Sequence, residues 1–319
     1  MQRPNPSIAT VIRPFDDAAI KDAATRISAG ECVAIPTETV YGLAADATNG
    51  EAVASVYAAK GRPSFNPLIV HVPDIEMARS LAEIDTVAEK LAGQFWPGPL
   101  TMVLPTAKNS PVADIVTAGL NTIAIRIPAH PAMQALLRAT GLPLAAPSAN
   151  ASGRISPTQA EHVRMSLDGK IGLIIDAGPS SLGLESTIIA PGESGVRMLR
   201  PGPITAEHIS SATGLPTETG STGTITAPGQ LATHYAPAKP VRLDASSSEP
   251  DEWLIGFGAI AGDASLSESG DLIEAAANLF GCLHEADASE RPKIAVAPLP
   301  RDGIGEAIAD RLARAAHRD

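Results

Sequence analysis

The stretch PTETVYGLAADATNGEAVASVYAAKGRPSFNPLIVHV, residues 36–72, constrains the fold more than any other part of the chain. The apolar run just before it, residues 32–35, reads as a strand. That strand must end, or lie at a sheet edge, at Pro36, which has no N–H to give to a ladder. Thr37, Glu38, Thr39, Tyr41 and Gly42 follow. Hydrogen-bonding side chains are thus crowded into the turn that leaves a strand, where α/β proteins hold their ligands. Val53, Val56 and Tyr57 at i, i+3, i+4 spacing predict a helix over 51–60. Gly61 and Pro63 stop it, with Lys60 and Arg62 on either side of the glycine. After Asn66-Pro67 the run 68–70 reads as a second strand, with His71 at its end. Either cation alone suits a solvated loop. Both together on a stiff turn, beside a cluster of hydroxyls, suit a polyphosphate.

Further along, Asp16 is a natural N-cap for a helix over 17–29 that Gly30 stops. A helix in two pieces is predicted over 77–95, breaking at Trp96-Pro97-Gly98-Pro99. Strands are predicted over 100–104 and 122–128, with 105–121 as loop. Alternation in the second strand puts Thr122, Ala124 and Arg126 on one side. An arginine at the end of an apolar strand is costly unless it meets an anion, whether a structural partner or a ligand. A helix over 131–140 and a short strand over 144–146 lead into PSANASGRISPT, residues 147–158. Small hydroxyl and amide residues this dense make either a capping loop for a helix over 158–167 or a cradle for phosphate. Strands over 173–176, 186–190 and 196–200 follow, the last ending in Arg200-Pro201-Gly202-Pro203. Helices and strands mixed in this way predict an α/β domain on a mixed sheet.

With 319 residues the chain has material for two domains. Fifteen of the twenty residues 210–229 are Ser, Thr, Gly or Pro, the composition of a linker. The expected division is a catalytic domain over 1–209, a linker over 210–239 and a small α/β domain over 240–319. The segment Gly256–Ala261 matches a dinucleotide-binding fingerprint, but the residues after it read as a polar loop rather than a helix, so chance explains the match. The net charge of −11 divides into −3 over residues 1–210 and −8 over 211–319. An acidic second half argues against nonspecific nucleic-acid binding. No apolar run reaches membrane-spanning length and the N-terminus lacks a secretory signal pattern. Cys32 and Cys282 are far apart in apolar contexts and read as free buried thiols. The expectation is a soluble, cytoplasmic protein acting on small molecules.

The segments PTETVYGL, KGRPSFNPL, SANASGRISPT, ESTII and LRPGPI, in that order, resemble the YrdC-type domain of threonylcarbamoyl-AMP synthases. HYAP, at residues 234–237, and the closing IAVAPLPRDGIGEAIADRLARAA resemble the long two-domain form of that family. The resemblance implies a YrdC-like open twisted mixed sheet with helices, plus a smaller Rossmann-like α/β domain. It also implies a reaction: L-threonine, bicarbonate or CO2, and ATP accompanied by Mg²⁺ give threonylcarbamoyl-AMP and pyrophosphate. The threonylcarbamoyl group is then transferred to tRNA by a separate complex. Carried onto this sequence, the threonine pocket falls on Thr39, His71, Arg126, Ala146 and Ser186. The ATP contacts fall on Lys60, Arg62, Asn66, Thr122, Ser148, Asn150, Ser156, Arg200 and Tyr235, with Lys60 and Arg62 as the catalytic cations. No residue is implied as a metal ligand, no membrane is involved, and the segment 210–237 is expected to cross the site mouth as a lid. The rival is a double-stranded RNA or tRNA-binding module without adenylation activity, which the charge disfavours. The carbamoyl-transfer enzyme of hydrogenase maturation contains a similar domain, but it needs an acylphosphatase module and Cys-rich zinc motifs that are lacking here.

Overall fold

The computed structural model describes residues 8–63, 65–220 and 234–317. An eleven-stranded mixed sheet dominates it. In spatial order its strands are Val11–Pro14, Leu173–Asp176, Val33–Pro36, Tyr41–Asp46, Leu144–Ala145, Ile69–His71, Thr122–Arg126, Leu100–Pro105, Thr187–Ala190, Val196–Arg200 and Thr217–Thr219. Val33–Pro36 and Tyr41–Asp46 form an antiparallel hairpin, whereas Ile69–His71 and Thr122–Arg126 pair in parallel.

Side-chain alternation divides the middle of this sheet into two unlike faces. Val70, Ile123, Ile125, Leu100, Met102 and Ile189 turn into the main core, where they meet the helices Gly50–Lys60, Thr86–Phe95 and Ala160–Leu167. The opposite face carries Ile69, Val103, Ala124 and Ile188 as a small apolar patch. His71, Thr101 and Arg126 stand two residues away from members of that patch and so share its side. His71 and Arg126 are register partners on adjacent strands, which sets their side chains next to each other.

The helix ends follow local chemistry. Asp16 Oδ1 accepts the Ala19 N–H at 2.6 Å, capping Asp17–Ser28. Gly61, in the left-handed region at φ 59°, ends Gly50–Lys60 and leaves Lys60 as the last helical residue.

The second domain has a four-stranded parallel sheet, Val241–Arg242, Lys293–Val296, Glu252–Gly256 and Ala264–Ser265, packed with the helices Leu272–Ala288 and Ile304–Ala316. Gly256 leads through a tight turn to the strand Ala264–Ser265 and not into a helix, so the fingerprint match over 256–261 is coincidental. The domain docks firmly. Val40, Ile155 and Leu184 of the first domain share one core with Tyr235, Leu279 and Phe280. A Cβ on Gly183 would stand 2.3 Å from the Ala277 carbonyl, so only glycine lets the two backbones approach this closely.

The expected linker starts too early. Residues 210–213 complete the helix Ala206–Thr213, and Thr217–Thr219 pairs in parallel with Val196–Arg200 as the sheet's edge strand. Ser/Thr/Pro composition resembles a tether, but two threonines flanking Glu218 suffice for an edge strand that pairs on one side only. The remainder of the presumed lid, 221–233, lies outside the described residues. Three further strands escaped the sequence: Val11–Pro14, Tyr41–Asp46 and Ala264–Ser265. Residues 114–117 form one helical turn in the expected loop. Cys32 and Cys282 are free and buried, and burial pushes both thiols up to about 11. No helix among the described residues is long and apolar enough to cross a membrane.

Candidate functional site

The unlike face of the main sheet forms the floor of a cavity that opens to solvent. Thr39, Arg62, His71, Arg126, Ala146, Ser148, Ser186 and Arg200 all line it, so most of the residues expected from sequence converge on one hollow. Lys60, Asn66, Ser156 and Tyr235 stand behind its wall, each tied to a residue that lines it, and Asn150 is tied to that wall through Lys60. Thr122 is not brought in. It begins the strand that Arg126 ends, roughly 13 Å away at the rise of an extended chain.

Arg126 anchors one end. Its Nε donates to the Gly98 carbonyl at 3.1 Å, Nη1 donates to Thr39 Oγ1 at 2.8 Å, and Nη2 lies 2.6 Å from Glu38 Oε1. The anion that this buried arginine requires is therefore supplied by the protein itself. Thr37 Oγ1 donates to the Val40 carbonyl at 2.6 Å, so the Thr39 hydroxyl must be the donor in its 2.8 Å bond to Thr37. Burial followed by the charge of Arg126 pulls His71 down to about 3, so its imidazole is neutral at physiological pH. Its Nδ1 has no partner among the described residues.

Arg200 anchors the other end. Its Nε and Nη2 donate to the Ser186 carbonyl at 3.0 and 2.8 Å, and Nη2 also reaches Ser186 Oγ at 3.1 Å. Thr101 Oγ1 completes the arrangement at 2.7 Å from Ser186 Oγ. Arg62 donates to the carbonyls of Asn66 and Pro67 at 3.2 and 2.9 Å, which holds those two residues against the guanidinium. Burial lowers the Arg62 guanidinium to about 10. The Asn66 amide is fully buried, yet neither of its polar atoms finds a partner among the described residues, as befits a group kept for a ligand.

Lys60 has a structural part to play. Its ammonium, 3% exposed, donates to the carbonyls of Ser148 and Asn150, both at 2.5 Å, and so pins the 147–158 loop against the helix end. Burial, and then the neighbouring charge of Arg62, hold it well below the ordinary lysine value. Ser156 Oγ donates to Glu185 Oε1 at 2.5 Å, and the other oxygen of Glu185 takes Arg311 Nε at 3.0 Å.

The sequence reading assigned no role to Thr101, Glu185, His234 or Arg311. Glu185 and His234 stand inside segments already singled out and line the cavity. Thr101 and Arg311 gave no local signal, because strand pairing alone brings Thr101 beside Ser186 and domain docking alone brings Arg311 to Glu185. Glu185 on the wall and Glu38, buried beside Arg126, are both engaged by arginines, which leaves the cavity an environment for anions. No group of three or more His, Cys, Asp or Glu among the described residues is spaced to hold a metal ion.

Two family models match the chain. One, Sua5/YciO/YrdC, described as telomere recombination, covers residues 25–202. The other, the threonylcarbamoyl-AMP synthase C-terminal domain, covers residues 204–317. The chain is 41% identical to threonylcarbamoyl-AMP synthase of Bacillus subtilis, with 94% of each chain covered. It is 39% identical to the Pyrococcus abyssi protein of the same name, with 97% of each covered. Among solved structures, that of P. abyssi Sua5 complexed with L-threonine superposes with a TM-score of 0.87 at 37% identity, covering 97% of both chains. Matches of this extent, across both domains and their order, mean that the chain belongs to the Sua5/YciO/YrdC family in the form that carries the threonylcarbamoyl-AMP synthase C-terminal domain.

Proposed function

We propose that this protein is an L-threonylcarbamoyladenylate synthase, converting L-threonine, bicarbonate or CO2, and ATP to threonylcarbamoyl-AMP and pyrophosphate. The observation that carries this reading is the convergence of Arg62, Arg126 and Arg200 on one cavity together with Thr39, His71, Ser148 and Ser186. Two anionic reactants repel each other in water, and a cation-lined hollow removes that obstacle before they meet.

Arg126 binds the threonine carboxylate with the N–H groups left over from Glu38, Thr39 and Gly98, using a planar fork that lysine lacks. Neutral His71 accepts from the substrate nitrogen, and Ser186 meets the substrate hydroxyl. A site with a hydroxyl partner in place rejects valine, whose methyl group would leave that partner unpaired. The neutral amine adds to CO2, forming an N–C bond and releasing one nitrogen proton to solvent, and a carbamate oxygen then attacks the α-phosphorus. The bond from that phosphorus to the departing oxygen breaks and pyrophosphate leaves. Arg62, Arg200, Asn66, Ser148 and Ser156 hold the triphosphate in line, while Lys60 keeps the 147–158 loop in place. Positioning supplies most of the acceleration in such transfers. Mg²⁺ enters this reading as the counter-ion of ATP, bridging its phosphate oxygens as part of the substrate.

The product's threonylcarbamoyl group then passes to tRNA through a separate transferase complex. The test is pyrophosphate release from ATP, measured with threonine and bicarbonate together and with each left out. Release that needs both supports the assignment, and release indifferent to either removes it.

A further inference from the structure

Arg311, on the second domain's closing helix Ile304–Ala316, is the largest of the fully buried side chains. A buried guanidinium holds two domains together no better than a well-packed apolar side chain of the same size. Adhesion is in any case supplied by the shared core of Val40, Ile155, Leu184, Tyr235 and Phe280. Where Arg311 sends its donors is therefore the informative point.

Nε donates to Glu185 Oε2 at 3.0 Å. Nη1 donates to the Pro201 carbonyl at 2.8 Å and to Asp310 Oδ2 at 2.9 Å. The guanidinium carbon lies 5.4 Å from the centre of the Tyr235 ring. The contacts outside its own helix all end beside the candidate ATP contacts. Glu185 lines the cavity and holds Ser156 on its other oxygen. Pro201 directly follows Arg200, and Tyr235 directly follows His234 on the cavity wall.

We propose that Arg311 is a positioning residue for the ATP side of the site: by holding Glu185, the Pro201 carbonyl and the Tyr235 ring, it sets where Ser156, Arg200 and Tyr235 stand. The proposal rests on the synthase reading above and deepens it, because it makes the second domain part of the site rather than an appendage. Arg311 touches no reacting atom. It acts through its partners, so its loss reads out in the binding of ATP more than in turnover at saturation.

The test uses the full chain carrying Arg311→Met, Arg311→Lys, Glu185→Gln or Asp287→Ala. The last removes the Arg154–Asp287 contact, 3.9 Å long, at the same domain interface. ATP binding is measured by calorimetry and the KM for ATP by pyrophosphate release, with thermal unfolding as the check on folding. Arg311→Met is expected to weaken ATP binding and raise the KM at least about tenfold, with kcat at saturating ATP within about threefold of wild type. Arg311→Lys, which keeps the charge without the fork, recovers part of the loss, and Asp287→Ala stays at wild-type values. Should Arg311→Met fail to fold, Glu185→Gln carries the same expectation with less risk to the core. The proposal is overturned if the folded variant binds ATP within about twofold of wild type. It is equally overturned if Asp287→Ala reproduces the loss, since a generally loosened interface would then explain it. Calorimetry reads ATP binding without the reaction, so a wild-type chain that binds ATP yet releases no threonine-dependent pyrophosphate counts against the synthase reading alone.

Discussion

Arg126 Nη2 lies 2.6 Å from Glu38 Oε1, both side chains are buried, and the Ala129 N–H donates to the same Glu38 oxygen at 3.1 Å. The arginine expected to receive a substrate carboxylate thus already holds one belonging to the protein. That internal anion makes the buried charge tolerable and fixes the plane of the guanidinium before any ligand arrives.

Glu38→Ala should therefore destabilise the protein by about 3 kcal/mol at neutral pH, the usual cost of stranding one member of a buried pair. Burial raises the Glu38 carboxyl, but the charge and hydrogen bond of Arg126 and the Ala129 N–H outweigh it, and the net shift is below the ordinary 4.5. A depressed carboxyl stabilises the fold above its unfolded value and loses that contribution as the pH falls through its folded value. Urea unfolding should show the full gap between wild type and variant at pH 7 and a smaller one near pH 3. A gap of equal size at both would refute the ion-pair account.

Thr101 is expected to act on threonine through Ser186, whose hydroxyl it meets at 2.7 Å. Thr101→Val keeps the shape and removes the hydroxyl, and should raise the KM for threonine about tenfold, the worth of one buried hydrogen bond. Thr101→Ser should remain near wild type, and the KM for ATP should not move in either. Equal changes in both KM values would point to general loosening of the strand.

Lys60→Met should cost about 2–3 kcal/mol, because the Ser148 and Asn150 carbonyls lose their donor. Since burial and Arg62 lower the Lys60 ammonium well below 10.5, the folded chain binds fewer protons than the unfolded one between those two values. Stability contributed by this group therefore rises with pH across that window. A bound polyphosphate reverses the shift, so ATP binding at alkaline pH should take up protons. Calorimetry in buffers of different ionisation enthalpy detects this. Buffer-independent heats in the wild type, or uptake that survives in Lys60→Met, would contradict it.

His162 and His284 stack across the domain interface with ring centres 3.8 Å apart, and His284 Nε2 donates to the Ser156 carbonyl at 3.2 Å. Burial lowers His162 to about 4 and, helped by the charge of His162, lowers His284 to about 3. The unfolded chain binds these protons near pH 6.5 and the folded chain resists them, so stability should fall as the pH drops below about 6.5. His284→Gln keeps an N–H for the Ser156 carbonyl and cannot be protonated. Its melting temperature should decline less between pH 7 and pH 5 than that of the wild type, and parallel declines would exclude the pair as the cause.

Much was readable without coordinates. Pro36, Gly61 and Pro63 act through backbone geometry that each residue carries with it, so the strand end and the helix stop stand where local chemistry puts them. The alternation placing Thr122, Ala124 and Arg126 on one side likewise needs only the period of a strand. The motif resemblance named Arg62, Arg126, Arg200 and Ser186, and these four meet in one cavity. Composition served less well. The Ser/Thr/Gly/Pro bias read as a tether across residues that are in part helix and edge strand, because a strand paired on one side asks little of its side chains.

The chain's own order of residues thus determined where the strand at Pro36 and the helix at Gly61 end, and which residues of the strand over 122–128 share a side. Tertiary structure alone decided that Glu38 neutralises Arg126, that Thr101 steadies Ser186, that Lys60 clasps two carbonyls, and that Arg311 reaches Glu185 from 126 residues away. The reason is physical. Backbone preferences and side-chain period are properties of a few neighbouring residues, whereas the partner of a buried charge is whichever group sheet register and domain docking carry within about 3 Å of it.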